Sequence, residues 1–209
     1  VTLRVNEGME ERFCKLIVRQ ENTGKVDTVY VKQFTYESKY NRRTDSLAML
    51  AVYKALKGED WMKPWNTKKP MTEWTGVILE EIEGEQRIVG LSLNDFKLSG
   101  DLANEIGNLR ELRSLKVGGI GKVYKCPNSL INLRKLETLD VNFSDGTEWF
   151  LPNDMSSMLS LKVFKPAALK VPIESFAGFY TLPALEELNL STMYLIGDLP
   201  TGISKMKSL

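Results

Sequence analysis

Between Ile88 and Leu209 the apolar positions return in one fixed order. The segments IVGLSL, LRSLKV, LETLDV, LKVFKP and LEELNL begin at residues 88, 112, 136, 161 and 185, so their starts differ by 24, 24, 25 and 24 residues. Leu209 opens a sixth unit 24 residues after Leu185. In LEELNL the alternation predicts a short strand, with Leu185, Leu188 and Leu190 turned inward and Glu186, Glu187 and Asn189 outward. Later in each unit comes a second apolar pair three residues apart: Ile106/Leu109, Leu130/Leu133, Met155/Met158, Phe179/Leu182 and Ile203/Met206. That spacing predicts a helical or 3₁₀ turn on the convex side. One such unit cannot bury its apolar edge alone, so neighbours must stack into a continuous core.

An L-x-x-L-x-L core at this period is the signature of leucine-rich repeats. The stretches LSGDLANEIGNL and LIGDLPTGISKM resemble the plant-type version, L-x-G-x-I/L-P-x-x-I-x-x-L. Gly100 and Gly197 occupy the position where the backbone must turn tightly. Pro127, Pro152 and Pro200 lie at or near the proline slot. The resemblance implies an α/β repeat fold, a right-handed solenoid of five units over 88–209 with the sixth begun. One position departs from it. Where the family usually carries an asparagine that bonds neighbouring backbone, this chain has Phe96, Ile120, Ser144, Leu169 and Met193. An apolar plug in that place leaves backbone groups to be satisfied some other way.

Upstream the period changes to two. Leu3 and Val5 start one strand, ERFCKLIVRQ puts Cys14, Leu16 and Val18 on one face of a second, and TVYVKQ puts Val29 and Val31 on one face of a third. Strands of this length bury too little to stand alone. The ordering N-x-x-x-x-x-R-x-C-x-L-x-V…G…T-V-Y-V-K-Q resembles the C-terminal half of a BACON domain, carried by Asn6, Glu11, Arg12, Val31 and Gln33. The resemblance implies a partial antiparallel, immunoglobulin-like β-sandwich over 1–38, of a kind common in secreted proteins of gut Bacteroidetes. Such a domain serves as a spacer or binds glycans, and both readings stand here.

From Thr44 to Gln86 the pattern changes again. Thr44-Asp45 reads as the cap of a helix through SLAMLAVYKALKG, with Leu47, Leu50, Ala51, Tyr53 or Lys54, and Leu56 near helical spacing and Gly58 ending it. Trp61, Trp65 and Trp74 follow, then Gly76-Val77. The whole, D-x-L-x-x-L-x-x-Y-x-x-L-x-G-x-x-W…W…E-W-T-G-V, resembles the N-terminal cap of leucine-rich repeat proteins of the plant receptor type and of a bacterial relative. The plant caps bracket W-x-G-V with a cysteine pair; here those positions hold Thr72 and Leu79. The resemblance implies a linker and helical cap over 39–87, sealed by aromatic packing through Trp61, Trp65, Trp74 and Gly76. The other reading of three tryptophans is a platform for sugar rings.

Composition narrows the function. The chain has 209 residues, 43% of them hydrophobic, enough for sizeable cores in one or two domains. Lys plus Arg number 28 and Asp plus Glu 27, so no overall field favours nucleic acid or an anionic membrane surface. No apolar run approaches the ~20 residues that span a bilayer. The chain starts at Val1, inside what reads as a strand, and is expected to be a piece of a longer secreted or surface-anchored protein. More repeats or a polar terminal cap are expected beyond Leu209.

Enzymatic chemistry lacks its usual residues. Histidine is absent, which removes the usual general base and the commonest metal ligand. Cys14 and Cys126 are too few for a zinc site and read as small buried thiols. The chain has no glycine-rich phosphate loop and no G-x-S-x-G elbow. Glu80/Glu81 and Glu186/Glu187 are adjacent in sequence, so in strands they point apart or into solvent. The expectation is a non-enzymatic binding or scaffold module with no cofactor and no metal.

Outward positions of the stacked strands form columns. The second position reads Val89, Arg113, Glu137, Lys162, Glu186, and the fifth reads Ser92, Lys116, Asp140, Lys165, Asn189. Strands stand ~4.8 Å apart, so opposite charges adjoin along both columns and read either as self-neutralising ladders or as a surface for a protein partner. Asn94, Asn142 and Asn189 are expected to project from the strands. Phe143 is the outward aromatic that the ladders do not need. A candidate partner-binding patch is therefore centred on Phe143 with Lys116, Asp140, Asn142, Lys165 and Asn189, rimmed by Trp149 and Phe150 on the irregular loop that follows. Against this, Tyr124, Trp149 and Phe150 also suit filling space left by missing leucines. The partner is expected to be a protein or a host-surface glycoconjugate, the latter bound through the sandwich or the aromatic loop with the repeats as a spacer.

Overall fold

In the structure, a computed structural model, the described residues are 12–19, 26–33, 40–94, 96–119, 121–123, 126–143, 154–167 and 179–190, with Thr23, Pro152, Gly202 and Met206. The chain divides into two compact units, 1–41 and 42–209.

In the first unit, β1 (Arg12–Arg19) and β2 (Val26–Gln33) form an antiparallel pair. The register sets Cys14 opposite Val31 and Leu16 opposite Val29, so these apolar positions share one face. On the other face Val26 and Tyr30 are exposed. The strand expected at Leu3 and Val5 lies outside the described residues.

The second unit opens with α1 (Arg42–Ala55), which packs on the edge of the repeat array. Its bounds and its buried stripe both differ from the sequence reading. The helix starts at Arg42, so Asp45 falls inside the first turn and is buried rather than capping it. The stripe facing the core is Asp45, Ala48, Met49, Val52 and Leu56, while Leu47 is exposed. Spacing alone fits either stripe; the side that is covered is the one that lies on the 3₁₀ turn at Asn104–Asn108 and on the strand Glu85–Leu93. A hairpin of β3 (Val77–Ile82) and β4 (Glu85–Leu93) comes next, turning through Glu83 and Gly84, both at positive φ.

From β4 onward the repeats add parallel strands: β6 (Ser114–Gly119), β8 (Thr138–Phe143), β9 (Val163–Ala167) and β10 (Glu187–Leu188). They make a six-stranded sheet in the order β10-β9-β8-β6-β4-β3, with β3 antiparallel at one end. The register carries Leu91 to Leu115, Leu139, Phe164 and Leu188 along one inward row. The second apolar pairs close the core from the far side, where 3₁₀ turns at Asn104–Asn108 and Asn128–Asn132 bury Ile106 and Leu130. Met155, Met158, Phe179 and Leu182 are buried at the matching positions. Phe164 and Phe179 face one another with ring centroids 5.3 Å apart, two large rings where two leucines would be usual. A second, two-stranded parallel sheet pairs β5 (Leu98–Gly100) with β7 (Gly121–Val123). Gly100 sits there at φ 129°, and a methyl on it would land on the Ala55 carbonyl of α1.

Without the asparagine ladder, the repeats are tied through their 3₁₀ turns. Ser129 Oγ donates to the Asn104 carbonyl at 2.6 Å and Ser157 Oγ to the Ile131 carbonyl at 2.7 Å. Arg110 Nη1 donates to the Asn132 carbonyl at 2.6 Å, and Thr181 Oγ1 accepts from the Met155 N–H at 2.7 Å. Each bond joins one repeat to the next. On the sheet side a backbone rung does the same: the N–H groups of Arg113, Glu137, Lys162 and Glu186 each donate to the carbonyl one repeat earlier.

Pro166 occupies an inward leucine position in β9, opposite Val141. Phe164 accepts from the Asn189 N–H. By alternation the next group of β9 facing β10 belongs to Pro166, which has no N–H to give. The described pairing of β10 ends at Leu188.

Candidate functional site

The outer sheet face brings together part of the expected patch. Ser92, Lys116, Asp140 and Lys165 lie opposite one another on consecutive strands, and Asn142 is exposed near the end of β8, opposite Gly118. Lys165 Nζ reaches Glu187 at 3.0 Å, and the exposed Asn189 follows just beyond the end of β10. Phe143 pairs through its backbone with Gly119, but its side chain lies outside the described residues, as do Trp149 and Phe150 in full. Of the projecting asparagines, Asn94 is half-buried, with its Oδ1 buried and unbonded.

The second-position column does not simply neutralise itself. Arg113 turns its guanidinium onto Glu80 of the hairpin, with Nη1 and Nη2 at 2.7 and 3.3 Å from the two carboxylate oxygens. The array's first charged rung is thereby tied to the strand that precedes it. A rim pair, Lys135 to Glu111 at 2.7 Å, bridges two repeats beside the column. Exposed pairs of this kind contribute at most ~1 kcal/mol each. They set charge order on the face more than they set stability.

Behind the hairpin lies an aromatic cluster. Trp65 stacks between Tyr53 and Trp74, with centroids 5.5 and 5.1 Å away and interplanar angles of 19° and 11°. Trp61 meets Trp65 edge-on at 5.0 Å and Phe96 at 4.7 Å. Phe96 is the apolar plug of the first repeat, so the departure from the asparagine consensus is what joins the cluster to the array. The indole N–H groups are bonded within the chain: Trp61 to the Leu56 carbonyl at 2.9 Å, Trp65 to Thr75 at 2.9 Å, and Trp74 to Asn66 and Lys69, both at 3.2 Å. All three tryptophans are buried, with neither an open ring face nor a spare donor for a sugar. Gly76 closes the segment at φ 85°; a methyl there would strike the Ser92 carbonyl.

One buried group was missed by the sequence reading. The Asp45 carboxylate accepts from Arg87 Nε at 2.8 Å, Arg87 Nη2 at 3.1 Å and the Ile88 N–H at 3.1 Å. Asp45 is 0% and Arg87 7% exposed. Burial pulls the Arg87 guanidinium down, but the Asp45 hydrogen bond and charge, with Glu111 and Glu85 farther off, carry it above its ordinary value. The signal was present in the sequence: Asp45 stands three, four and seven residues before Ala48, Met49 and Val52, on the buried stripe itself.

Among the described residues no group of three or more His, Cys, Asp or Glu is placed to hold a metal ion, and no helix is long and apolar enough to cross a membrane. Cys126 is buried, and burial pushes its thiol well above the usual range. That opposes the thiolate needed for a nucleophile.

No family model matches the chain. It is 27% identical over 168 residues to phytosulfokine receptor 1 of Arabidopsis thaliana, covering 65% of this chain and 16% of that protein. It is 31% identical over 108 residues to the leucine-rich repeat protein FLOR 1 of the same plant, covering 50% of this chain and 32% of that one. The chain thus spans less than a third of the length of either relative. Among solved structures, the leucine-rich repeat ectodomain of the Arabidopsis thaliana receptor kinase SOBIR1 superposes with a TM-score of 0.59 at 19% identity, over 81% of this chain and 90% of that one. A plant ice-binding protein gives 0.63 at 21% identity, over 80% and 54%. A leucine-rich repeat protein of Bacteroides thetaiotaomicron gives 0.53 at 14%, over 86% and 37%. The fold is therefore of the leucine-rich repeat type, and these neighbours include both receptor ectodomains and an ice-binding protein, so fold alone does not choose the ligand.

Proposed function

We propose that the chain is part of an extracytoplasmic, non-enzymatic recognition module whose outer sheet face binds a protein partner. The observation that supports this is the ordered charge on that face. Lys116, Asp140 and Lys165 stand in register on neighbouring parallel strands, with Asn142 and Asn189 beside them. A rigid surface with charges of alternating sign rejects a uniformly charged polymer and suits a partner whose own charges alternate. Receptor ectodomains sharing the fold, and a receptor among the sequence relatives, fit the same reading.

In this reading α1 and the tryptophan cluster form the helical cap that seals the first repeat. The β1–β2 hairpin is the end of an immunoglobulin-like, BACON-type spacer of a bacterial surface protein. Asn142 turns outward with Asp140, and alternation puts position 143 on the row of Leu139 and Val141, so the proposed patch is polar at its centre, with Trp149 and Phe150 as its rim.

The test is cross-linking read at Lys165, which both proteins keep, with mass-spectrometric identification of what is joined, comparing the parent with a Lys116→Glu/Asp140→Lys charge swap. A protein joined to the parent and lost from the swapped variant is the expected result. Cross-links unchanged by the swap would rule the face out, and glycan binding that survives removal of 88–209 would assign recognition to the hairpin instead.

A further inference from the structure

Among the described strands the sheet ends at β3, a different surface from the charged face. Ile82 and Glu85 flank the two-residue turn, so they form a hydrogen-bonded pair. Alternation makes Glu80–Arg87 the next such pair and turns the N–H and C=O of Leu79 and Glu81 away from β4. No described strand pairs with that side, because β3 is the outermost member of the sheet. The bulge between Ile78 and Leu79 ends the regular edge there. What remains is a short edge with two residues' backbone groups unpaired among the described residues, two positions apart, the repeat that an added strand offers.

The side chains specify what could add. Ile78 is 59% exposed and lies across Gly90, whose missing side chain leaves it room. Glu80 is engaged by Arg113 and Glu85 accepts from the Arg42 N–H at 3.0 Å. Glu81 and Glu83 are exposed, and no described residue pairs with either carboxylate. Two copies of this edge placed together would set acids against acids, which opposes self-pairing.

We propose that β3 is a strand-addition site for an extended, basic segment of another protein. The segment would bond the outward groups of Leu79 and Glu81, with a cationic side chain beside Glu81 and an apolar one beside Ile78. Main-chain bonds would hold it and the acids would select it.

The probe is a fluorescent, end-blocked peptide of alternating valine and lysine, about eight residues long, titrated against the whole chain at low salt. Its control is the same peptide N-methylated at alternate positions. The expected result is saturable binding of the first, none of the second, and loss of about tenfold or more in affinity in both Glu81→Pro and Glu81→Lys. Proline at 81 removes only an outward N–H, so melting should be unchanged. Equal binding of the N-methylated peptide, unchanged affinity in a folded Glu81→Pro chain, or no binding of the probe at millimolar concentration would each overturn the proposal. The methylated control needs no variant, so a Glu81→Pro chain that fails to fold leaves the test intact.

Discussion

Replacing Asp45 by alanine tests how α1 is fastened to the repeats. The carboxylate accepts three hydrogen bonds, two from Arg87 and one from the Ile88 N–H. Its removal leaves a guanidinium whose side chain is only 9% exposed without its bonded counter-charge, with only the more distant Glu111 and Glu85 beside it, together with an unpaired N–H at the start of the first repeat segment. Breaking a buried ion pair from one side costs about 3–5 kcal/mol. For a unit of this size that corresponds to a fall in Tm of roughly 10 °C. The contrast is Asp45→Leu with Arg87→Met: removing both charges in a well-packed site is expected to be within about 1–2 kcal/mol of the parent. Urea titration followed by tryptophan fluorescence is the assay, since Trp61, Trp65 and Trp74 are buried beside α1. Far-UV circular dichroism followed in parallel reads the repeats. The fluorescence transition should move first, ahead of the loss of sheet signal. A loss under ~1 kcal/mol for Asp45→Ala, or a double variant as weak as the single one, would refute the reasoning.

Trp74→Ala should cost about 3–5 kcal/mol, the range for emptying a large aromatic from a core, and should melt the array from its N-terminal side while leaving partner preference unchanged; loss of binding at constant Tm would point to a ligand platform instead. For Cys126 the sign follows from burial. Its folded-state thiol is raised above the unfolded value, so the contribution is complete below the ordinary thiol range near ~8.5 and is lost as pH rises and the unfolded thiol ionises. In a Cys14→Ser background, thiol labelling at mildly alkaline pH should therefore be slow in the native protein and fast in urea, and rapid native labelling would contradict the burial.

The repeat architecture was legible because it is written in local spacing. The L-x-x-L-x-L segments, the second apolar pairs and the columns Ser92–Lys116–Asp140–Lys165 follow from period alone, since one-residue register errors would expose every leucine. The glycines at 76 and 100 were legible for a related reason, each marking a backbone that passes too close for a side chain. What spacing could not decide is which partner a side chain chooses among several within reach. Arg113 has acids ahead of it in the column and behind it in the hairpin, and only the placement of β3 gives it Glu80. The α1 stripe is set by packing on β4 and the 3₁₀ turn at Asn104–Asn108, so Leu47 is left outside and Asp45 is taken in. The bonds that replace the asparagine ladder join residues 22 to 26 positions apart, through serine, threonine and arginine side chains that no consensus marks. The array is thus a property of the sequence, and its fastening to α1 a property of the assembled fold, because a buried charge is tolerable only where tertiary contact brings its counter-charge to it.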